Sequence, residues 1–420
     1  MKNLVIVLLC SISISSFSQE KKKDKYQFAH TYFGIETEVL PQNGSFTTLN
    51  NQGNFDNKTL PSFASTRFVI GGTHFWDHAD FYVSIPIVQF SIKGSKDAFI
   101  ENGVLTGFRY FPLKIKPNSI RPFAGVGFGS PYFRSKGANG EGATQTNRQW
   151  YYEGGISYRY KGSKLFDLGI RYFNDKTYHY ANSRKSFENV SLNQLSILFS
   201  YKRIYDFTQG YAKKKQKEYL KKVFDALEKN NELNTFSIGI GYSASIPLET
   251  TEYANKIPFL NQETTKNGNV ELGIAYYSHD WDASARISYR PLKQKETAYN
   301  YTYLTTNHSI ALEAFKFIGD YHGFVPFVGP YISSNNYKIL EKDMGKKVSD
   351  YKANKLGYGI VFGWDIRLSR VDYLIMRTNL RYTPNLNYTK NGLDYTNKQI
   401  EFNFIQLVYY PKRHKIQKPL

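Results

Sequence analysis

The sequence predicts an all-β protein: a transmembrane antiparallel β-barrel chain of about sixteen strands in two eight-strand repeats, with one short linker helix. Three observations predict it. After residue 30 the apolar residues recur with a period of two. Tight turns and long polar connections alternate along the chain, as they do in outer-membrane barrels. The strand pattern then runs a second time, a little over two hundred residues later.

The composition fits that fold and excludes others. The chain has 420 residues, of which 41% are hydrophobic and 17% aromatic, so it is not intrinsically disordered. Its one cysteine, Cys10, rules out a disulfide scaffold. Yet the mean hydropathy is only −0.49. In a membrane barrel the two facts agree, because aromatic rings collect in girdles at the two interfaces while polar lumen and loops lower the mean.

Residues 1–18 read as a signal peptide. Lys2 precedes the apolar run Leu4–Cys10, small polar residues follow, and cleavage is expected after Ser18. The apolar run is far short of the ~20 residues that span a bilayer. Export argues against nucleic-acid binding as the meaning of the +20 net charge, which becomes +19 once Lys2 is removed. A basic segment, 19–30, follows with Lys21, Lys22 and Lys23.

The first repeat is expected over 31–205. In it Phe166, Leu168, Ile170 and Tyr172 alternate with Asp167, Gly169 and Arg171. Segments 65–76 and 79–90 are expected to meet at a two-residue turn, Asp77-His78, and segments 148–160 and 163–174 at Lys161-Gly162. Strands of about 10–13 residues exceed the ~5–6 usual in soluble sheets and match the ~9–11 that cross a bilayer at a tilt.

A lysine-rich helical linker is expected over 206–233, where Leu220, Val223, Phe224 and Leu227 share one helical face. Lys213, Lys214, Lys215, Lys217, Lys221 and Lys222 crowd the rest. An even strand count puts this linker and both termini on the periplasmic side. The lysines are then either a binding face for an anionic envelope component or headgroup, or a solvated helix surface.

The second repeat is expected over 234–412, followed by a basic tail, 413–420. Pro122-Phe-Ala-Gly125 returns as Pro326-Phe-Val-Gly329, 204 positions on. Ile170-Arg171-Tyr172 returns as Leu380-Arg381-Tyr382, 210 on. Sixteen strands can close as one wide barrel or as two small ones. The inward faces carry many glycines, among them Gly127, Gly169, Gly241, Gly273 and Gly363, with charges of both signs. The expected lumen charge network is Arg109, Glu153, Arg159, Asp167 and Arg171, then Glu271, Asp282, Arg286, Asp365, Arg377 and Arg381. A narrow lumen forces such ions to pair, which favours tandem barrels over one.

Gly107-Phe-Arg-Tyr-Phe111, a turn, and Arg121-Pro-Phe-Ala-Gly-Val-Gly-Phe-Gly129 together resemble the middle hairpin of small outer-membrane barrels of the outer-membrane-protein-A-like class. The resemblance implies an eight-stranded fold, here duplicated, in a Gram-negative outer membrane. It implies little about activity, since such barrels serve as anchors, adhesins, narrow pores and enzymes.

No motif names a reaction. Gly125-Val-Gly-Phe-Gly129 lacks the third glycine and helix of a dinucleotide loop. His74, His78, Asp77 and Asp80 sit at a turn and are assigned no metal. His179, with Asp175 and Ser183 nearby, belongs to an outer loop. No catalytic residue and no cofactor is assigned. The expected function is an integral outer-membrane protein with a structural or surface-interaction role and outer-membrane lipid as its partner. The alternatives are a passive channel for small solutes and a barrel enzyme acting on lipid or peptide.

Overall fold

The computed structural model describes residues 30–114, 116–137, 140–146, 149–161, 163–175, 177–205, 214–248, 257–260, 266–320, 323–367, 369–384, 386–390, 393–396 and 398–417. The expected signal peptide, the segment with Lys21 to Lys23 and Lys213 lie outside these residues. No helix among the described residues is long and apolar enough to cross a membrane; the chain is built to cross with strands.

The sheet closes twice. The first ring contains β1 (His30–Leu40), β2 (Ser62–His74), β3 (Ala79–Lys93), β4 (Ala98–Tyr110), β5 (Ser119–Gly137), β6 (Gln149–Tyr160), β7 (Lys164–Phe173) and β8 (Leu195–Tyr205). Each pairs antiparallel with its sequence neighbour, and β8 returns to β1 with Thr31 opposite Tyr205 and Ile35 opposite Tyr201.

The second ring contains β9 (Thr235–Pro247), β10 (Lys266–Ser278), β11 (Ala283–Ala298), β12 (Tyr301–Phe317), β13 (Phe324–Asp343), β14 (Lys346–Ile366), β15 (Leu374–Thr383) and β16 (Gln399–Tyr409). It closes where β9 meets β16, with Ile238 opposite Tyr409. The chain is therefore two eight-stranded barrels rather than one of sixteen. Between them α1 (Lys214–Lys229) forms, a shorter helix than the 206–233 linker, and α2 (Pro411–Gln417) follows the last strand.

The period of two explains why each sheet curls with its polar face inside. On β7, Asp167 and Arg171 are buried while Leu168 and Ile170 are each 52% exposed. On β9, Phe236, Ile238, Ile240 and Tyr242 are all exposed. Continuous apolar surface of this extent is not stable in water; around a closed sheet it is a lipid-facing wall.

One turn differs from the expectation. Four residues, not two, join β2 to β3, and Phe75, Trp76 and Asp77 all have positive φ. Asp77 holds this unusual backbone in place. It hydrogen-bonds His30 Nδ1 at 2.8 Å, and its carbonyl accepts from Arg121 at 2.6 Å.

At the opposite end each barrel extends beyond its ring. The hairpins Ser45–Leu49/Phe55–Thr59 and Thr177–Ala181/Phe187–Ser191 bury Phe46, Tyr178, Tyr180 and Val190 against Phe63, Ile100 and Phe133 of the first barrel. In the second barrel, Tyr301, Tyr303, Tyr337 and Ile339 cluster with Ile257 and Leu260. The extensions also meet each other: Arg184 donates to Asp343 at 2.6 Å and to the Tyr299 carbonyl.

Candidate functional site: two ion-paired lumens and a periplasmic cap

The first lumen is spanned side to side by hydrogen-bonded charges. Arg109 on β4 forks onto Glu153 of β6 at 2.7 and 3.0 Å, and its remaining nitrogen reaches Asp167 of β7 at 2.9 Å. Arg171 joins Glu38 at 3.0 Å and Glu36 at 3.3 Å on β1. Lys202 of β8 holds Asp167 at 2.8 Å and Asp80 at 3.6 Å. Tyr82 and Tyr151, on strands facing one another across the barrel, meet hydroxyl to hydroxyl at 2.9 Å. All these ion-paired side chains are fully buried. Paired ions of this kind satisfy one another in a dry interior, whereas a lone one would be costly.

The second lumen uses three glutamates and three arginines. Arg290 reaches Glu271 at 2.9 Å, Glu401 at 3.0 Å and Asn379 at 2.9 Å, linking four strands. Arg286 bonds Glu271 and Glu313, and Arg381 bonds Glu401 and Glu313. Asn403 donates to Glu271 at 2.6 Å. Below them Arg377 forks onto Asp365 at 2.6 and 2.8 Å and lies against Phe315 and Phe327.

Glycines make room for these long side chains. A Cβ on Gly127 would overlap the Tyr151 ring, and one on Gly273 would stand 2.6 Å from Arg286 Nε.

The structure brings together Arg109, Glu153, Asp167 and Arg171 in one lumen, and Glu271, Arg286, Asp365, Arg377 and Arg381 in the other. Two of the eleven expected residues stand elsewhere. Arg159 is half-buried near the periplasmic end of β6. Asp282 closes the β10–β11 turn with φ 42°, at the mouth rather than in the lumen, where Arg367 grips it at 2.9 and 3.0 Å. The expected set omits Glu36, Glu38, Arg67, Asp80, Lys202, Arg290, Glu313 and Glu401. Their signal was the same alternation: Glu36 and Glu38 alternate with Ile35, Thr37 and Val39, and Glu313 follows Leu312.

The periplasmic end of the second barrel carries a helical cap. Val223 and Leu227 of α1 are fully buried with Val371, and Phe224 and Ile416 pack beside them. The residues expected as a basic tail are instead largely α2. Arg413 is 1% exposed, stacks on Tyr410 and Tyr277, and donates to the Asp372 carbonyl at 3.1 Å. Lys412 ion-pairs with Glu232 at 3.1 Å. The opposite face of α1 leaves Lys217, Lys221 and Lys222 exposed; the side chains of Lys214 and Lys215 lie outside the description. In the β10–β11 turn, His279 packs against Phe224, and burial with the nearby Arg370 and Arg413 lowers its pKa.

The turn and loop histidines and their polar neighbours are engaged in structural bonds. His78 bonds the Phe111 carbonyl, and Asp80 accepts from Tyr32 at 2.6 Å. His179 bonds Asn189 at 3.2 Å and stacks on Phe187, while the Ser183 hydroxyl accepts from the backbone of Lys185 and Ser186. Among the described residues no group of three His, Cys, Asp or Glu is placed to hold a metal ion.

No protein-family model matches the sequence, and no curated protein matches it. Among solved structures the chain is similar to Neisserial surface protein A, with 12% identity and a TM-score of 0.30 over 42% of this chain and 96% of that one. It is similar at 12% identity and TM-score 0.28 to the attachment invasion locus protein Ail of Yersinia pestis, over 42% of this chain and 96% of that one. The outer membrane protein W of E. coli matches at 8% identity and TM-score 0.26, over 43% of this chain and 99% of that one. The closed sheets, lipid-facing exteriors and charged interiors identify the chain as an integral outer-membrane protein built from two eight-stranded β-barrels.

Proposed function

We propose that the protein is a non-conducting, non-catalytic double barrel that holds its outer hairpins as a surface for contact with the environment. The observation that carries this reading is the Arg109–Glu153–Asp167 network and its counterpart around Arg290, which join opposite walls of each lumen. A solute would have to break several buried ion pairs to pass. The hairpin cores over the outer ends add a second obstruction. The exposed Lys217, Lys221 and Lys222 of α1 supply the charge that would meet anionic inner-leaflet headgroups on the periplasmic side. Purified protein in planar bilayers tests the reading. Silence at moderate voltage is expected; large, stable conductance steps would overturn it in favour of a channel.

A further inference from the structure

The second barrel carries an outward row of lysines that form no ion pair among the described residues. β11 to β14 run past the lipid-facing wall as a four-stranded arm. Their register places Lys293 opposite Thr306, Thr306 opposite Lys338, and Lys338 opposite Lys352. The three lysines are exposed and stand at one height across the arm. By the alternation of each strand they share the face of Ile287, Ile310, Ile332 and Tyr358, which are 55–60% exposed on the apolar wall. Further out on the same face stand Lys295 and Lys342.

Between wall and lysines lies an interfacial pair. Tyr289 bonds His308 Nδ1 at 2.6 Å, with the two rings stacked. Such amphipathic rings mark the edge of the hydrocarbon region. Thr306 is two residues and Lys293 four residues beyond them, roughly 7 to 13 Å along the strands. That is headgroup depth in the outer leaflet.

Like charges directly opposite on neighbouring strands destabilise the pairing. Lys338 and Lys352 are such a pair, and none of Lys293, Lys338 and Lys352 has an ion-pair partner among the described residues. Among the described residues the carboxylate on this face is Asp350, two residues from Lys352, and its ion pair at 3.6 Å is with Lys347. Glu341 points to the other face, where Tyr301 donates to it at 3.0 Å. Among the described residues no carboxylate pairs with these three lysines, which leaves them suited to an anion from outside the chain.

We propose that Lys293, Lys338 and Lys352 form a binding site for the phosphate-bearing headgroup of an outer-leaflet lipid. The lysine stems lie along the apolar arm and the ammonium groups clamp the phosphate from three strands, while the acyl chains run down the Ile310 and Ile332 wall. This inference needs the barrel to sit in a bilayer but not the lumens to be closed, so conductance and lipid selectivity fail independently.

The test is full-length protein in phosphatidylcholine vesicles with trace spin-labelled phosphatidylglycerol or spin-labelled phosphatidylcholine, reading the motionally restricted fraction. The wild type should prefer the anionic probe, and Lys293→Gln/Lys338→Gln/Lys352→Gln should lower that preference at least about fivefold at low salt, the effect of roughly one lysine near a charged surface. The matching triple Lys→Arg variant should keep it. Lys185→Gln/Lys346→Gln/Lys355→Gln, which removes the same charge elsewhere on the outer side, should change it less than twofold. Unchanged heat-modifiable migration establishes that each variant is folded, and the single Lys338→Gln substitution serves if the triple is not. Equal preference in wild type and variant, or an equal loss in the control triple, would overturn the site. Displacement of the labelled lipid by inorganic phosphate would also overturn it, in favour of a free-anion site.

Discussion

Asp167 and Arg377 occupy the same position in the seventh strand of their barrels, four residues before Arg171 and Arg381, and carry opposite charge. The repeat preserves the later arginine but reverses the earlier residue. Each lumen balances the difference with its own partners. Asp167 is held by Arg109 and Lys202 from β4 and β8, whereas Arg377 is held by Asp365 on the adjacent β14. The two units thus share an outline while their interiors are wired differently.

Breaking one network should destabilise one barrel. Asp167→Asn leaves Arg109 and Lys202 each short of an anion in a dry interior, at a cost of about 3–5 kcal/mol. Urea titration in detergent micelles, followed by tryptophan emission, should show the first barrel unfolding earlier. The double change Arg377→Met/Asp365→Leu removes both charges together and should cost the second barrel far less. Equal losses in the two variants would argue that the ion pairs are incidental.

Gly127→Ala should also weaken the first barrel, through crowding. The added methyl meets the Tyr151 ring, which the Tyr82 hydroxyl holds from across the lumen. Overpacking of this kind costs about 1–3 kcal/mol. The companion change Tyr151→Phe/Tyr82→Phe removes the polar tie, and in that background the same alanine should cost less.

The periplasmic cap should loosen in acid. Burial against Phe224, with Arg370 and Arg413 nearby, lowers the pKa of His279 below the ordinary 6.5. The unfolded or undocked state therefore takes up the proton first. The stability contributed by neutral His279 is complete above about 6.5 and declines as the pH falls toward the lower folded value. Amide exchange in α1 should accelerate over that interval, and His279→Gln should flatten the response. Exchange that is independent of pH in the wild type, after correction for intrinsic rates, would refute the linkage.

Proteolysis between β8 and α1 should leave two folded pieces. The barrels close separately, and α1 packs on α2 and Val371 of the second. Each half should keep its own heat-modifiable migration, with α1 remaining on the C-terminal one. Collapse of either half would mean that the contacts of Arg184 with Asp343 and Tyr299 are required for barrel integrity.

Much of this architecture was legible because a barrel strand states its own orientation. Alternation on β7 separates Asp167 and Arg171 from Leu168 and Ile170 without tertiary knowledge, and the same rule extends to Glu36, Glu313 and Glu401. Pairing was not legible. That Arg290 would link Glu271 to Glu401 depends on ring closure and the stagger between strands, which no single strand encodes. Asp282 was misplaced because its positive φ ends the alternation one residue early. Arg413 was hidden for a different reason: in a run of basic residues nothing distinguishes the one that folds inward from those left in water.

Arg413 also bears on how the molecule is completed. Its guanidinium rests on Tyr410, directly after the last strand, and on Tyr277, at the end of the second strand of the same ring. Tyr410 is its near neighbour in the chain, but Tyr277 joins it under the guanidinium only where β16 has paired with β9. The C-terminal helix therefore sits as a latch across the seam, and its docking at the periplasmic mouth requires that the second ring be whole.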